Sequence, residues 1–427
     1  MRGSVLLLLV LVLPPVARAD DEPELTVLIA EAVERSPEIR AARELAEAAL
    51  QRIRPSEALP DPMVSLGYQN EGGSPSLGTE TGTWLQLMAQ QAFPFPGKLK
   101  LAGRIASSQG AEAGTRAERA RLGVEAAVRR AWATLVAARE NGFTTDEQIA
   151  AWKEIAEITK ARYSAGMGNQ QDLLRAQSER TRLEQQKVRD EAAADLALVE
   201  LSRILLRPVE SSLASGSRLL PAKVSVPARA AVLAEAEGAS PELKEVLLQE
   251  ERARLEVELA RKAFSPDFVA QAAYMNRAGL PLMWSASLGV TVPLWTGSKQ
   301  RPLLAEAVGR ERAARAAEEA VRARLRSSTE ARLVRLAQLA REARIDTEGI
   351  LVQDRLSVDA ALASYTSGGV PFVTVLEALG TLFADRRAAV ERAADFLKTE
   401  ADLRELSLDA VAGSTQAAAP SSSAPKM

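Results

Sequence analysis

Two copies of one turn decide how this chain folds: YSAGMGNQQDLL at residues 163–174 and YTSGGVPFVTVL at residues 365–376. Each copy has its tyrosine, its first glycine (Gly166 or Gly368) and its last leucine at the same spacing. Glycine adopts the left-handed conformation that stops a helix sharply, so each turn predicts the end of one helix and the start of another. The second copy indicates an internal duplication.

The features around each turn recur in the same order. A Ser-Pro step opens a helical segment, a Pro-Asp step follows it, and two short alternating segments precede a proline-free stretch of helical periodicity. The steps are Ser36-Pro37 and Pro60-Asp61 in the first half, and Ser240-Pro241 and Pro266-Asp267 in the second. Roughly 65 helical residues span about 100 Å, which is typical of a coiled coil or an α-helical tube. Asn141-Gly142 weakens the first long helix and predicts a kink there.

The predicted fold is mainly α with a small β part, built from two tandem repeats of helix–β-hairpin–long helix–return helix. A signal peptide is expected at 1–19 and a first repeat at 20–207, with strands at about 62–70 and 84–93 and a long helix at about 98–165. A connector is expected at 208–239 and a second repeat at 240–408, with strands at about 267–276 and 283–294 and a long helix at about 298–367. Residues 409–427 are expected to be a disordered tail, because they are rich in Ala, Ser and Pro.

The composition excludes several classes of function. The chain has no Cys and no His, so disulfides, thiolate or imidazole metal sites, and Cys-His or Ser-His-Asp catalysis are ruled out. The 54 Lys and Arg residues nearly balance the 56 Asp and Glu residues, so no nucleic-acid partner is expected. Neither an enzyme nor a bound cofactor or metal is predicted.

The N-terminus has the pattern of an export signal. Arg2 supplies a positive start, residues 5–13 are apolar, and Ala17-Arg18-Ala19 matches a cleavage site, so cleavage is expected after Ala19. The apolar run is too short to span a bilayer as a helix. The absence of Cys excludes processing as a lipoprotein.

The four short alternating segments predict β-strands with one apolar and one polar face. Trp284, Leu288 and Val292 share an apolar face that is expected to contact lipid. Two hairpins of a small soluble sheet would alternate in the same way. If the strands lie in a membrane, four are too few to close a barrel, and open edges are excluded from lipid, so several chains would have to share one barrel.

The signal, the duplicated order and the turn pattern together resemble the TolC family of outer-membrane efflux proteins, from about residue 25 to about residue 408. QAFPFPGK at 91–98 looks like the branch associated with heavy-metal and cation efflux. The resemblance implies a homotrimer that shares a twelve-stranded outer-membrane β-barrel, continued into the periplasm by an α-helical barrel. Such a duct is passive, and a periplasmic adaptor (membrane fusion protein) and an inner-membrane pump open it.

The resemblance also implies roles for particular residues. The tips that meet the adaptor are expected at Gly166, Met167, Gly168, Gly368, Gly369 and Val370, and the periplasmic gate at Asp172, Tyr365, Thr374 and Glu377. Asp172 and Tyr365 match residues that lock neighbouring helices by hydrogen bonding, whereas Val370 stands where the family has an arginine latch. A ring of Glu377 carboxylates would favour cations, although Glu377 could equally lie on a solvated helix face.

Two other functions remain open at this stage. A periplasmic adaptor also carries long helical hairpins, but it would need a lipoyl-like β-domain divided around one hairpin. A structural coiled-coil protein of the periplasm would need only the helices. The sequence does not identify a cargo.

Overall fold

The computed structural model describes residues 23–77, 79–166, 168–219 and 225–405. The predicted signal peptide, the predicted tail and Met167 lie outside these described residues. The first half contains α1 Pro23–Arg35, α2 Pro37–Gln51, α3 Ile53–Glu57, β1 Met63–Gln69, β2 Trp84–Phe93, α4 Lys98–Ser164 and α5 Gln170–Leu205. The second half contains α6 Arg229–Ala239, α7 Pro241–Lys262, β3 Asp267–Asn276, β4 Met283–Thr291, α8 Arg301–Ile345, α9 Leu351–Thr366 and α10 Phe372–Glu405. None of the described helices combines the length and the apolar character needed to cross a membrane.

Local sequence signals set several helix ends. The Asn169 side chain accepts a hydrogen bond from the Gln171 backbone at 3.1 Å and caps the start of α5. Ser240 caps α7 in the same way, and Pro241 occupies the first turn, where its missing N–H costs nothing. The Ser240 cap explains why the Ser-Pro step of the second half opens a helix.

The first long helix does not break at Asn141-Gly142, where the sequence predicted a weak point. Helix α4 continues through both residues to Ser164. The Asn141 side chain donates to Glu391 of α10 at 2.9 Å, and Thr145 one turn later is fully buried. Tertiary contacts at these positions therefore outweigh the low helix propensity of Asn and Gly.

The second long helix differs from the expected single helix at 298–367. A π-helical turn at Thr296–Gln300 precedes α8, and a second one at Asp346–Ile350 separates α8 from α9. Gly97 and Tyr163 are 66 positions apart in the first repeat, whereas Gly297 and Tyr365 are 68 positions apart in the second. Each π turn accommodates about one residue more than an α-turn, which accounts for this difference in length.

The connector expected at 208–239 ends in a helix, which corrects that boundary. Helix α6 covers Arg229–Ala239 and buries Val232 and Ala236. Ala236 packs in a small core with Leu243 and Leu325. This packing stabilises a helix that Gly238 and the short length would otherwise disfavour.

The four strands form one antiparallel sheet in the order β1-β2-β3-β4, so the hairpins of the two repeats pair through β2 and β3. Strand β4 ends at Thr291, three residues before the predicted end. Pro293 cannot donate to a strand ladder, which explains the early end and leaves Val292 outside the strand.

The chain packs as two compact units. The first takes its described residues from 1–36, 124–224 and 339–401, and contains the two turns. The second takes them from 37–123, 225–338 and 402–427, and contains the sheet.

Candidate functional site

Both turns require glycine for steric reasons. Gly166 has a φ of +71° and Gly368 a φ of +84°, and each donates its backbone N–H at 3.0 Å to the carbonyl of the tyrosine three residues earlier. A Cβ on Gly168 would lie 2.9 Å from the Tyr163 backbone nitrogen, so no side chain fits there. Gly369 and Val370 continue the second turn into α10.

The two matching tyrosines lie in different environments. Tyr163 is 44% exposed, whereas Tyr365 is 3% exposed and belongs to an apolar core formed by the distal parts of α4, α5, α9 and α10. The Tyr365 ring lies 5.7 Å from the Phe372 ring, which in turn lies 6.2 Å from the ring of Trp152. The second turn is therefore anchored by its tyrosine, and the first is not.

The hydrogen bond expected between Asp172 and Tyr365 is not formed within this chain. The Tyr365 hydroxyl is buried beside Thr159, with the two oxygens 3.5 Å apart. Asp172 lies half-buried in the first turn of α5, and its carboxylate has no hydrogen-bond or ion-pair partner among the described residues. The tyrosine ring belongs to an apolar core, and its hydroxyl meets Thr159 rather than the carboxylate.

Arg162 makes a contact between the two hairpins that the sequence does not indicate. Its guanidinium donates at 2.7 Å to the Tyr365 carbonyl and at 2.9 Å to the Thr366 carbonyl, and lies 4.8 Å from the centre of the Tyr365 ring. Arg162 is at the end of α4, while both carbonyls belong to the last turn of α9. The side chain therefore joins the hairpin tip of one repeat to that of the other.

The remaining gate candidates occupy the start of α10. Thr374 is half-buried, and its backbone nitrogen donates to Pro371 at 3.1 Å. Glu377 is exposed and has no ion-pair partner within the described part of the chain. It lies on the side of α10 opposite the buried Val375 and Leu379. This position is compatible with a charged surface but does not by itself define a constriction.

A buried polar cluster lies farther from the turns and was also missed. The Asp190 carboxylate accepts hydrogen bonds from Thr145 at 2.6 Å and Gln186 at 2.8 Å, and pairs with Arg387 of α10. Burial opposes ionisation of Asp190, but the hydrogen bonds from Arg387, Thr145 and Gln186 outweigh it, so its pKa is lowered. This cluster joins α4, α5 and α10.

Two further carboxylates distinguish the second hairpin. Asp346, in the π turn, is buried and accepts two hydrogen bonds from Arg392 at 2.6 and 2.7 Å. Burial raises the pKa of Asp354 in α9, and the neighbouring Asp385 carboxyl of α10 raises it further. Helix α10 therefore makes a favourable ion pair with the π turn and an unfavourable acidic contact with α9.

The sheet carries a continuous apolar face. The register places Leu66 opposite Leu87, Leu87 opposite Tyr274, and Tyr274 opposite Trp284, so the apolar sides of all four strands coincide. Trp284 is 73% exposed and Leu288 is 87% exposed on this face. The same face also carries the polar residues Gln91 and Asn276 near its ends, and its apolar residues are Val64, Leu66, Tyr68, Leu85, Leu87, Ala89, Phe93, Phe268, Ala270, Ala272, Tyr274, Trp284, Ala286, Leu288 and Val290.

Comparison with solved structures identifies the fold. VceC from Vibrio cholerae aligns with a TM-score of 0.73 and 19% identity, covering 90% of this chain and 96% of its own. A membrane protein from Pseudomonas aeruginosa aligns with a TM-score of 0.76 and 18% identity, covering 90% and 93%. The open state of the MtrE outer membrane channel from Neisseria gonorrhoeae aligns with a TM-score of 0.73 and 18% identity, covering 90% and 88%.

The sequence itself matches a family description twice, once in each repeat. No curated protein matches the chain directly. The model of the outer membrane efflux protein family matches residues 28–205 and again residues 232–407. These two ranges contain both long helices and both hairpins. The chain is a member of the outer membrane efflux protein family.

Proposed function

We propose that this protein is the passive exit duct of a tripartite efflux or type I secretion-like system, located in the outer membrane and extending into the periplasm. Three copies form the channel, and a periplasmic adaptor and an inner-membrane pump open it. The pump supplies the energy, and the duct performs no chemistry.

The exposed apolar face of the sheet carries this proposal. A face that continues across four strands and presents Trp284 and Leu288 to the surroundings is unfavourable in water and favourable in lipid. Strands β1 and β4 each have one edge without a strand partner in the described part of the chain. Open edges are costly in lipid, so copies of the sheet must join edge to edge, and three copies supply the twelve strands expected of the family.

Exposed apolar residues on two helices support assembly with neighbouring copies. Leu174 and Val188 are two heptads apart on α5, and Val352 and Leu356 are one turn apart on α9. These side chains are at least half exposed in the single chain. Together with Leu196 on α5, they form apolar stripes of the kind that pack against another helix.

The turns and the start of α10 supply the proposed contacts of the periplasmic end. Gly166, Gly168 and Gly368 provide two small, uncharged tips on which an adaptor can dock. Glu377, exposed on α10, is the proposed constriction, where three carboxylates would attract cations. Asp172 and Thr374 are proposed to face the same end of the duct.

A narrower proposal is that the cargo is a heavy-metal ion or another cation. It rests on the strand-to-helix passage at 91–98, which resembles the branch of the family associated with heavy-metal and cation efflux. The Phe95 backbone N–H donates to the Asp267 carboxylate at 2.6 Å, and Lys98 pairs with the same carboxylate at 2.7 Å. These two contacts fix the direction in which the chain leaves β2 and enters α4. Growth of a strain that lacks the gene, tested against metal salts and against dyes or antibiotics, separates a metal cargo from a drug cargo.

Membrane fractionation and cross-linking test the duct directly. The protein should stay in the outer-membrane fraction in high salt, dissolve only in detergent, and cross-link as three chains. Release by high salt would favour the structural coiled-coil alternative, and a stable monomer in aqueous buffer would contradict the shared barrel. A strain without the gene should lose efflux and recover it with the parent chain.

A further inference from the structure

We infer that three methionine thioethers on the sheet form a binding site for a soft monovalent metal cation such as Ag⁺ or Cu⁺. The site consists of Met88, Met275 and Met283 and lies on the polar face of the sheet, opposite the apolar face. This inference deepens the proposed function and rests on it, since the polar face would line the lumen of the proposed barrel.

The methionines of the described residues are all in the sheet, one on each strand. They are Met63 on β1, Met88 on β2, Met275 on β3 and Met283 on β4. The pairing register places all four on the polar face. Methionine is apolar, so an amphipathic strand would be expected to carry it on the apolar face. Hydrophobicity therefore does not account for the position of any of the four.

Strand pairing brings three of these side chains together. Met275 lies directly opposite Met283, and Met88 is diagonal to Met275, because Met88 pairs with Ala273 and Met275 pairs with Gln86. Opposite side chains of an antiparallel pair have Cβ atoms about 4.5–5.5 Å apart, and diagonal neighbours are within reach of long side chains. Methionine is unbranched and adaptable, so the three sulfurs can converge on one ion.

The sulfur of Met88 is directed toward polar neighbours. The Gln271 side-chain amide donates a hydrogen bond to the Met88 Sδ atom, and the Ser287 hydroxyl donates to the Gln271 side-chain oxygen at 3.3 Å. A thioether lone pair that accepts a hydrogen bond can be offered to a metal ion instead. Met88, Met275 and Met283 are each half-buried, so all three side chains are partly accessible on this face.

The chemistry of the polar face selects a soft ion of low charge. Thioethers are soft ligands that suit Cu⁺, whereas carboxylates, carbonyls and water suit Mg²⁺ and Ca²⁺. Asp267 is the one charged residue of the four strands, and it lies at the other end of β3 from Met275 and pairs with Lys98. Three neutral ligands offset the desolvation of a monovalent ion better than that of a divalent one. Binding without charged ligands is also weak enough for the ion to leave, which conduction requires.

Silver binding to the purified full-length protein tests the site without requiring transport. Ag⁺ is stable in air and is added in detergent and a chloride-free nitrate buffer to protein that carries ¹³C-methyl methionine. The methyl resonances of Met88, Met275 and Met283 should shift together as one Ag⁺ binds per chain. The resonance of Met63 should stay in place, and Zn²⁺ should shift none of them.

Leucine substitutions separate the sulfur atoms from the volume of the side chains. Leucine and methionine replace each other with little change in packing, so the strands should still pair. The triple variant Met88→Leu/Met275→Leu/Met283→Leu should lose Ag⁺ binding in equilibrium dialysis. Met63→Leu is the matched control, because Met63 is 53% exposed at the start of β1 and is not part of the site. This control should bind Ag⁺ like the parent.

The outcomes distinguish the site from the duct. Equal Ag⁺ binding by the parent and by a triple variant that still cross-links as three chains would overturn the site and leave the duct intact. Methionine-dependent Ag⁺ binding by a protein that never forms trimers would support the site and contradict the duct. The methyl shifts are measured in the parent, so they decide the site even if the triple variant assembles poorly, and unshifted Met88, Met275 and Met283 resonances would refute it.

Discussion

Comparing Leu288→Arg with Ser287→Arg tests whether the apolar face of the sheet contacts lipid or water. The two residues are neighbours on β4, so backbone effects are matched, but their side chains point to opposite faces. Leu288 lies opposite Ala270 on the apolar face and is 87% exposed, whereas Ser287 contacts Gln271 across the polar face at 3.3 Å.

The expected loss of stability depends on whether water or lipid surrounds that face. In water, a substitution at so exposed a site changes stability by about 0.5 kcal/mol or less. At the bilayer midplane, an arginine on the lipid face costs roughly 2–4 kcal/mol per chain, or about 6–12 kcal/mol for three chains. The lower figure for one chain already corresponds to a loss of about thirtyfold in the equilibrium.

Semi-native gel electrophoresis of outer-membrane extracts measures the outcome as the fraction of heat-sensitive trimer. Leu288→Arg should abolish the trimer band, and Ser287→Arg should retain it. If both variants assemble equally well, Leu288 does not face lipid at the midplane, and the assignment of the apolar face fails.

Four further outcomes follow from the first compact unit. Phe372→Ala should destabilise the core beneath the turns by about 3–5 kcal/mol in urea unfolding, because the ring is 2% exposed. Asp190 has a lowered pKa, so its ionised form stabilises the fold at neutral pH, and this advantage over Asp190→Asn should start to decline as the pH drops below the ordinary pKa and be lost once the pH falls through the lowered pKa. Gly368→Ala should cost about 1–2 kcal/mol at its positive φ, whereas Gly380→Ala, with open space around it inside α10, should stabilise slightly in thermal unfolding. Glu377→Gln should reduce the cation preference measured by reversal potential, and unchanged selectivity would place Glu377 on an ordinary solvated face.

The fold class was predictable because its signals are local and repeated. Helical periodicity, alternating segments and the two glycine turns each span only a few residues, and the mainly α fold with a small antiparallel sheet and tandem repeats is confirmed. The end of β4 was wrong by three residues, because alternation continues through Val292 although Pro293 ends the pairing.

The tertiary contacts were not predictable, since they join residues that are distant in the chain. Arg162 and Tyr365 are 203 positions apart, and nothing near Arg162 distinguishes it from other helical arginines. The two tyrosines have equivalent sequence positions, yet only Tyr365 is buried. The roles of Asp172, Thr374, Glu377 and the tip residues as gate and adaptor contacts stay predictions.

The π turns have a consequence for how a duplicated gene can change. A residue inserted into an α-helix rotates everything beyond it by about 100°, which would carry a buried stripe out of its groove. A π turn absorbs the extra residue locally, and the second repeat contains two such turns and two more residues than the first between its glycine and its tyrosine. Asp346 shows that such a turn can also acquire a buried ion pair of its own. The long helices can therefore gain single residues during evolution while the side chains on either side of the insertion keep their neighbours.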